Sequence, residues 1–116
     1  MFTEIKNQFE ERYSGMIRAV CNKVENVTIC TVHDSVPDYT ERALTALSIF
    51  NEVILKEAFR INAPVIDLRL ACNEAQDYSS VSPIEPSKHG AKKITDLIIR
   101  VVQEHNFDLN KSSVYK

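Results

Sequence analysis

The stretch PVIDLRL, residues 64–70, decides the fold class of this chain. It is mostly apolar, it contains β-branched residues, and its proline stands at the start, where a strand tolerates one. A second stretch, VTICTV at residues 27–32, has the same character and is too short for a helix. We therefore expect two buried strands.

Amphipathic helices surround both predicted strands. Apolar residues at helical spacing predict one helix over 2–24 and another from 41 to about 60, which Thr40 can cap. A third helix is expected to begin at Pro86 or Ser87. The order is α-β-α-β-α, and the helical connection makes the two strands parallel.

Two parallel strands are too few for a complete sheet. Parallel strands are normally buried on both faces and lie between other strands. The expected fold is therefore a partial one, whose missing strands come from another chain, from a second copy in a homo-oligomer, or from an N-terminal half. We take residues 1–116 as a single partial α/β domain and expect the tail, 107–116, to fray because it has no clear period.

Composition narrows the possible partners. The 116 residues are 44% hydrophobic and carry a net charge of −2, with 14 basic residues spread along the chain, which disfavours nucleic acid as a partner. No apolar run approaches the roughly 20 residues that a membrane span requires. The acidic N-terminus does not resemble a secretory signal, so we expect a cytoplasmic protein.

The three cysteines predict neither disulfides nor a metal centre. Cys21, Cys30 and Cys72 are odd in number, lack CxxC spacing and have no neighbouring pair of histidines. Buried or half-buried free thiols are expected, and no metal or other cofactor.

Polar residues that could carry chemistry follow the two strands. Sites in open α/β sheets lie beyond the carboxyl ends of the strands. The residues that could converge there are His33, Asp34, Cys72, Asp77, Ser82, Glu85 and His89. Each is also compatible with a solvated surface position. Within the strand, Arg69 is expected to neutralise Asp67 as a structural pair.

The segment SPIEPSKHGAKKI, residues 82–94, permits two interpretations. The prolines on either side of Glu85 restrict the backbone, which either makes a rigid start for the last helix or fixes the direction of a functional carboxylate. His89 could pair with Glu85 or lie in solvent. The sequence contains no GxSxG, GxxxxGK[ST], GxGxxG or HExxH motif.

The segment FNEVILKEAFRINAPVIDLRLACNEAQDY and the following SPIEPSKHGAKKITDLI resemble the C-terminal half of an SGNH (GDSL-type) hydrolase. The likeness covers roughly residues 28–102 and includes Asn51, the strand at 65–68 and the Gly90-Ala91 pair. It implies a flavodoxin-like three-layer α/β/α fold and ester hydrolysis by a serine, with a small ester as substrate.

The resemblance also implies where this chain departs from the family. The family's Asp-x-x-His-Pro block corresponds to Ser82 and Glu85 here, so a carboxylate stands at the histidine position. The segments that supply the nucleophile and the oxyanion hole would precede the matching region, so the chain alone is expected to be a poor esterase. Glu85 could act as a base if Ile84 and the prolines bury it and raise its pKa.

Two other functions remain open. The chain could be a non-catalytic α/β interaction module that completes its sheet with a partner or a second copy. Metal-dependent hydrolysis through His33, Asp34 and His89 is a weaker alternative, because their spacing fits no ligand motif.

Overall fold

The computed structural model of the chain describes residues 2–116 and shows a mixed α/β fold with a small parallel sheet. The main elements are three long helices, one four-residue helix and three two-residue strands. In chain order they are α1 (Phe2–Cys21), β1 (Ile29–Cys30), α2 (Glu41–Arg60), β2 (Val65–Ile66), α3 (Leu68–Ala71), α4 (Lys88–Glu104) and β3 (Val114–Tyr115). Short 3₁₀ turns lie at Ala75–Asp77 and Phe107–Leu109.

The sheet has the order β1-β2-β3, and both pairs of strands are parallel. Ile29 stands opposite Val65, and Ile66 stands opposite Tyr115. The prediction that the first two strands run parallel is confirmed.

Helices cover both faces of this sheet. On one face, Ile29 and Val65 pack with Ile17 of α1 and with Ile54 and Ala58 of α2. On the other face, residues of α4 pack on β2 and β3, in a cluster formed by Ile66, Leu97, Val101 and Tyr115. The coarse α/β class is therefore as expected. Within residues 2–116, no helix combines the length and the apolar character needed to cross a membrane.

The second strand is shorter than predicted. It ends at Ile66, and the chain turns into α3 because the side chain of Asp67 accepts a hydrogen bond from the Arg69 N–H and caps the new helix. The first strand is also short, although the Thr31 N–H still donates to the Ile66 carbonyl. The apolar stretch at 64–70 is thus part strand and part helix.

The end of the C-terminal tail, which was predicted to fray, pairs with β2 as the strand Val114–Tyr115. The N–H groups of Val65 and Asp67 donate to the carbonyls of Ser113 and Tyr115, which makes the tail a third strand. The Tyr115 side chain is buried against α4. Packing of one aromatic residue, rather than any periodicity, holds this segment in place.

The edge of β1 that faces away from β2 has no strand beside it. Ile29 and Thr31 direct their N–H groups toward β2, so the N–H and C=O of Cys30 point the other way. β1 pairs with β2 alone, and among residues 2–116 neither group takes part in a hydrogen bond outside the sheet. At the next outward-facing residue, the buried side chain of Asn51 bonds both the N–H and the C=O of Val32, at 2.8 and 2.9 Å. The open edge is therefore limited to Thr28 and Cys30.

Candidate functional site

Two loops converge at the carboxyl end of the sheet. The loop after β1 carries His33, whose Nε2 lies 3.1 Å from the carbonyl oxygen of Ile84 in the second loop. The His33 ring also packs against the ring of Tyr78, with 5.2 Å between the centroids. The expected convergence therefore includes His33 and the segment that contains Ser82 and Glu85.

Backbone hydrogen bonds close the loop at residues 79–87. The Ser79 N–H donates to the Glu85 carbonyl, and the Glu85 N–H donates to the Ser82 carbonyl, both at 2.9 Å. Tyr78 and Pro86 form an isolated antiparallel bridge. The backbone of Glu85 is thus fixed, as the flanking prolines predicted.

The side chains of this loop are open to solvent. Glu85 is exposed, and among the described residues no hydrogen bond or ion pair involves its carboxylate. Ile84 is 60% exposed, so it does not enclose the neighbouring acid as expected. Ser82 is half-buried, and its N–H contacts the Ser79 hydroxyl at 3.3 Å. Asp34 is also half-buried.

Tyr78 anchors the base of the same loop. Its hydroxyl donates to the Cys72 carbonyl at 2.5 Å, and burial raises its pKa to about 12. Burial likewise raises the pKa of the Cys72 thiol, which lies in the core beside Val36. Cys72 is therefore a packing residue, as expected of a buried thiol, whereas Cys21 and Cys30 are exposed free thiols, contrary to the expectation of burial.

Asp77 and His89 come together in a second cluster, at the first turn of α4. The buried Asp77 carboxylate contacts the Lys93 ammonium at 2.9 Å, and His89 Nε2 lies 3.5 Å from Asp77 Oδ1 and 3.9 Å from Glu74 Oε2. Burial alone would raise the pKa of Asp77, but hydrogen bonds from Lys93 and the Glu74 N–H outweigh it and lower that pKa.

The start of α4 is built around the same aspartate. Ser87 caps the helix by accepting from the Gly90 N–H, and its own N–H donates to the Asp77 carbonyl at 2.8 Å. A Cβ on Gly90 would lie 2.1 Å from that carbonyl oxygen. The glycine is required because the helix packs directly on the Asp77 backbone.

Asp67 has a structural role. Arg69 donates to both of its carboxylate oxygens, at 2.9 and 2.7 Å, and Thr31 donates at 3.0 Å. These bonds, led by those from Arg69, lower the pKa of Asp67. The predicted neutralisation by Arg69 is confirmed.

Sequence reasoning did not find Tyr78 or Lys93. Tyr78 is remote in sequence from His33. Lys93 is one of several lysines near the start of α4, and the sequence does not distinguish it from the others. No pattern distinguishes either residue until the loops are folded. Comparison with known proteins adds no further assignment, because no protein family, curated protein or solved structure matches the chain.

Proposed function

We propose that this chain is the C-terminal part of an SGNH-type ester hydrolase that acts on small esters in the cytoplasm, and that it functions as one portion of a larger sheet. The observation that carries the proposal is the convergence of His33 with the loop at 79–87. By the sequence resemblance, this loop corresponds to the family's acid/base segment. That segment lies where α/β enzymes place their sites, beyond the carboxyl ends of parallel strands.

In this proposal Glu85 is the general base. A carboxylate on a fixed backbone can take the proton of a serine hydroxyl when the two come within hydrogen-bond distance. Ser82, at the position of the family's aspartate, lies one tight turn away, since its carbonyl accepts from the Glu85 N–H. Packing of the missing segment over Ile84 would desolvate the carboxylate and increase its basicity.

The nucleophile has to come from outside the described residues. Within 2–116, no serine hydroxyl is hydrogen-bonded to a histidine, and the serine with a carboxylate partner is Ser14, which donates to Glu57 at 2.7 Å. Arg60 binds that carboxylate through two nitrogens and thereby lowers its pKa. Glu57 is therefore a poor base, and the chain alone should not turn over esters.

We propose that the additional strands of the larger sheet pair with the open edge of β1. A groove of about 220 Å³ runs beside it, and its lining includes Cys30, Ile66 and Val102. The opposite side, near β3, has a groove whose lining includes four charged residues in addition to Ala71 and Leu97, namely Lys93, Asp96, Arg100 and Lys116. An added strand with an apolar face therefore fits the β1 edge better, because it buries apolar surface without desolvating charges.

A chimera tests the catalytic part of the proposal. An SGNH N-terminal half that contains the Gly-Asp-Ser strand and the Gly-x-Asn-Asp segment is joined ahead of this chain, and hydrolysis of p-nitrophenyl acetate is measured. We expect turnover in the chimera and not in the chain alone. Glu85→Gln should lower kcat/KM by about 100-fold or more. Glu25→Gln, which changes an exposed acid that precedes β1, should leave it unchanged.

Two results would contradict this assignment. One is a folded chimera, established by a cooperative unfolding transition, that has no turnover. The other is a Glu85→Gln chimera as active as its parent.

A non-catalytic interaction module is the second candidate. The observation that favours it is the exposed apolar surface of α4, where Ile98, Ile99 and Val102 are all exposed and two of them, Ile98 and Val102, line the groove beside β1. Sedimentation of the chain alone separates the candidates when it is combined with the chimera. A stable dimer together with an inactive chimera favours the interaction module, whereas a monomer and an active chimera favour the hydrolase.

A further inference from the structure

The second cluster, Glu74, Asp77 and His89, has the composition of a metal site. Glu74 and Asp77 lie at the 3₁₀ turn after α3, and His89 lies in the first turn of α4. Among residues 2–116, this is the one group of three His, Cys, Asp or Glu residues whose potential ligand atoms all lie within 4.8 Å of one another.

A buried oxygen points into this cluster without a hydrogen bond. The Asp77 side chain is fully buried, and its Oδ2 accepts from the Glu74 N–H at 3.0 Å and from Lys93 at 2.9 Å. Oδ1 accepts no hydrogen bond, although the Lys93 Nζ lies 2.9 Å away and His89 Nε2 lies 3.5 Å away. The cation beside this oxygen is the Lys93 ammonium, and a metal ion that took its place would bind Oδ1 directly.

The separations of the ligand atoms agree with a shared ion. His89 Nε2 is 3.5 Å from Asp77 Oδ1 and 3.9 Å from Glu74 Oε2, which is too long for good hydrogen bonds. Two ligands at zinc distances of about 2.0–2.2 Å in tetrahedral geometry are separated by roughly 3.4 Å. Small side-chain adjustments would bring all three atoms to one centre.

We propose that Glu74, Asp77 and His89 bind a divalent transition-metal cation of the zinc type. One imidazole nitrogen and two carboxylate oxygens would provide three ligands, and water would complete a tetrahedral set. This proposal does not depend on the proposed function, because neither Glu85 nor His33 belongs to the cluster.

The Lys93 ammonium competes with a metal ion for the carboxylates of this site. Its ammonium lies 2.9 Å from Asp77 and 3.5 Å from Glu74, so it occupies the position of a cation between the carboxylates. With Lys93 in place the two acids and the lysine carry a net charge of −1, and without it −2. The lysine side chain is 30% exposed and can swing toward solvent when a metal binds.

The positive end of α4 opposes a cation, but the carboxylates outweigh it. The partial positive charge at a helix N-terminus disfavours a bound cation only weakly in exposed settings. Two direct carboxylate ligands provide a far larger attraction for a divalent ion. Competition from Lys93 should therefore set the affinity.

Calorimetric titration with zinc chloride tests the site. Iodoacetamide first blocks the exposed Cys21 and Cys30, because thiolates also bind zinc. We expect one equivalent to bind, at least tenfold more weakly in His89→Gln and at least tenfold more tightly in Lys93→Gln. The matched control, His33→Gln, also removes one imidazole and should bind as the parent does.

Histidine ring signals in NMR spectra provide a second, site-specific measurement. The His89 resonances should move and saturate at one equivalent of zinc, while those of His33 and His105 stay in place. Unchanged His89 signals would overturn the proposal, as would equal affinities for the parent and His89→Gln. Lys93→Gln that binds no more tightly than the parent would also overturn it.

Discussion

At the scale of single residues, close packing and buried charges determine what each position tolerates. Gly90 lies against a backbone carbonyl, and Asp77 is a buried carboxylate that needs Lys93 beside it. Both features occur where α4 meets the 3₁₀ turn at Ala75–Asp77. The two predictions at this scale concern that junction.

Gly90→Ala should destabilise the fold by about 1–3 kcal/mol. The new Cβ would lie 2.1 Å from the Asp77 carbonyl oxygen, so the helix would have to move away from the loop. Gly15→Ala is the matched control, because a Cβ there has no atom within 4 Å and its helix should gain about 0.5–1 kcal/mol. Urea unfolding measures both changes. Equal stability of the two variants would refute the packing at Gly90.

Stability should fall in acid, in part because of Asp77. The pKa of this carboxyl group is lowered from its ordinary value of 3.8 in the folded chain, so the unfolded chain binds protons first as the pH falls. The contribution is complete above the unfolded pKa and is lost as the pH drops through the folded one. In Asp77→Asn, the decrease in unfolding free energy between pH 5 and pH 2.5 should be smaller than in the parent.

Asp96→Asn is the control for this pH series. Asp96 is exposed and pairs with Lys92 on the surface of α4, where such pairs contribute little. Its pH dependence should match that of the parent. A steep acid decrease in Asp77→Asn, equal to that of the parent, would show that Asp77 does not contribute.

At the scale of elements, the long helices could be predicted from apolar periodicity and capping residues in the sequence. The extent of the strands depends on contacts between residues that are distant in sequence. The bounds 41–60 of α2 follow from apolar periodicity and from Thr40, whose side chain accepts from the Ala43 N–H as expected. β3 could not be predicted, because its two residues are held by contacts with β2 and α4. The end of β2 was missed because the cap formed by Asp67 also looked like a charge within a strand.

Tyr115→Ala should destabilise the chain by about 3 kcal/mol. The side chain is buried against Ile66 and Leu97, and its hydroxyl lies 3.0 Å from His105 Nδ1. Val114→Ala changes the neighbouring, half-exposed residue and should alter the unfolding free energy by no more than about 0.5 kcal/mol. Chemical denaturation of both variants gives the comparison. Small effects from both substitutions would mean that the tail frays after all.

The sequence predicted those parts of the site whose positions follow from the order and direction of the strands. Strand-end reasoning placed His33 near the segment containing Glu85, and the structure joins them through the Ile84 carbonyl. It could not show that Asp77 and His89 form a separate cluster, because that depends on how α4 docks. Nor could it show that Glu85 is exposed, since the prolines fix its backbone and not its surroundings.

At the scale of the whole molecule, the central claim is that the sheet is open at β1 and accepts further strands there. Side-chain capping by Asn51 closes the edge at Val32, and the groove next to Cys30 is apolar. A strand added at this edge would pair with the free N–H and C=O of Cys30. The same pairing would bring new loops toward His33 and the Glu85 segment.

Amide hydrogen exchange at Cys30 tests this claim most directly. In the dilute, monomeric chain, the Cys30 amide should exchange at least about 100-fold faster than the amide of Thr31, which donates to Ile66. In the chimera with an N-terminal half, it should become as protected as Thr31. A Cys30 amide already protected in the monomer, or one that stays unprotected in a folded chimera, would contradict the account.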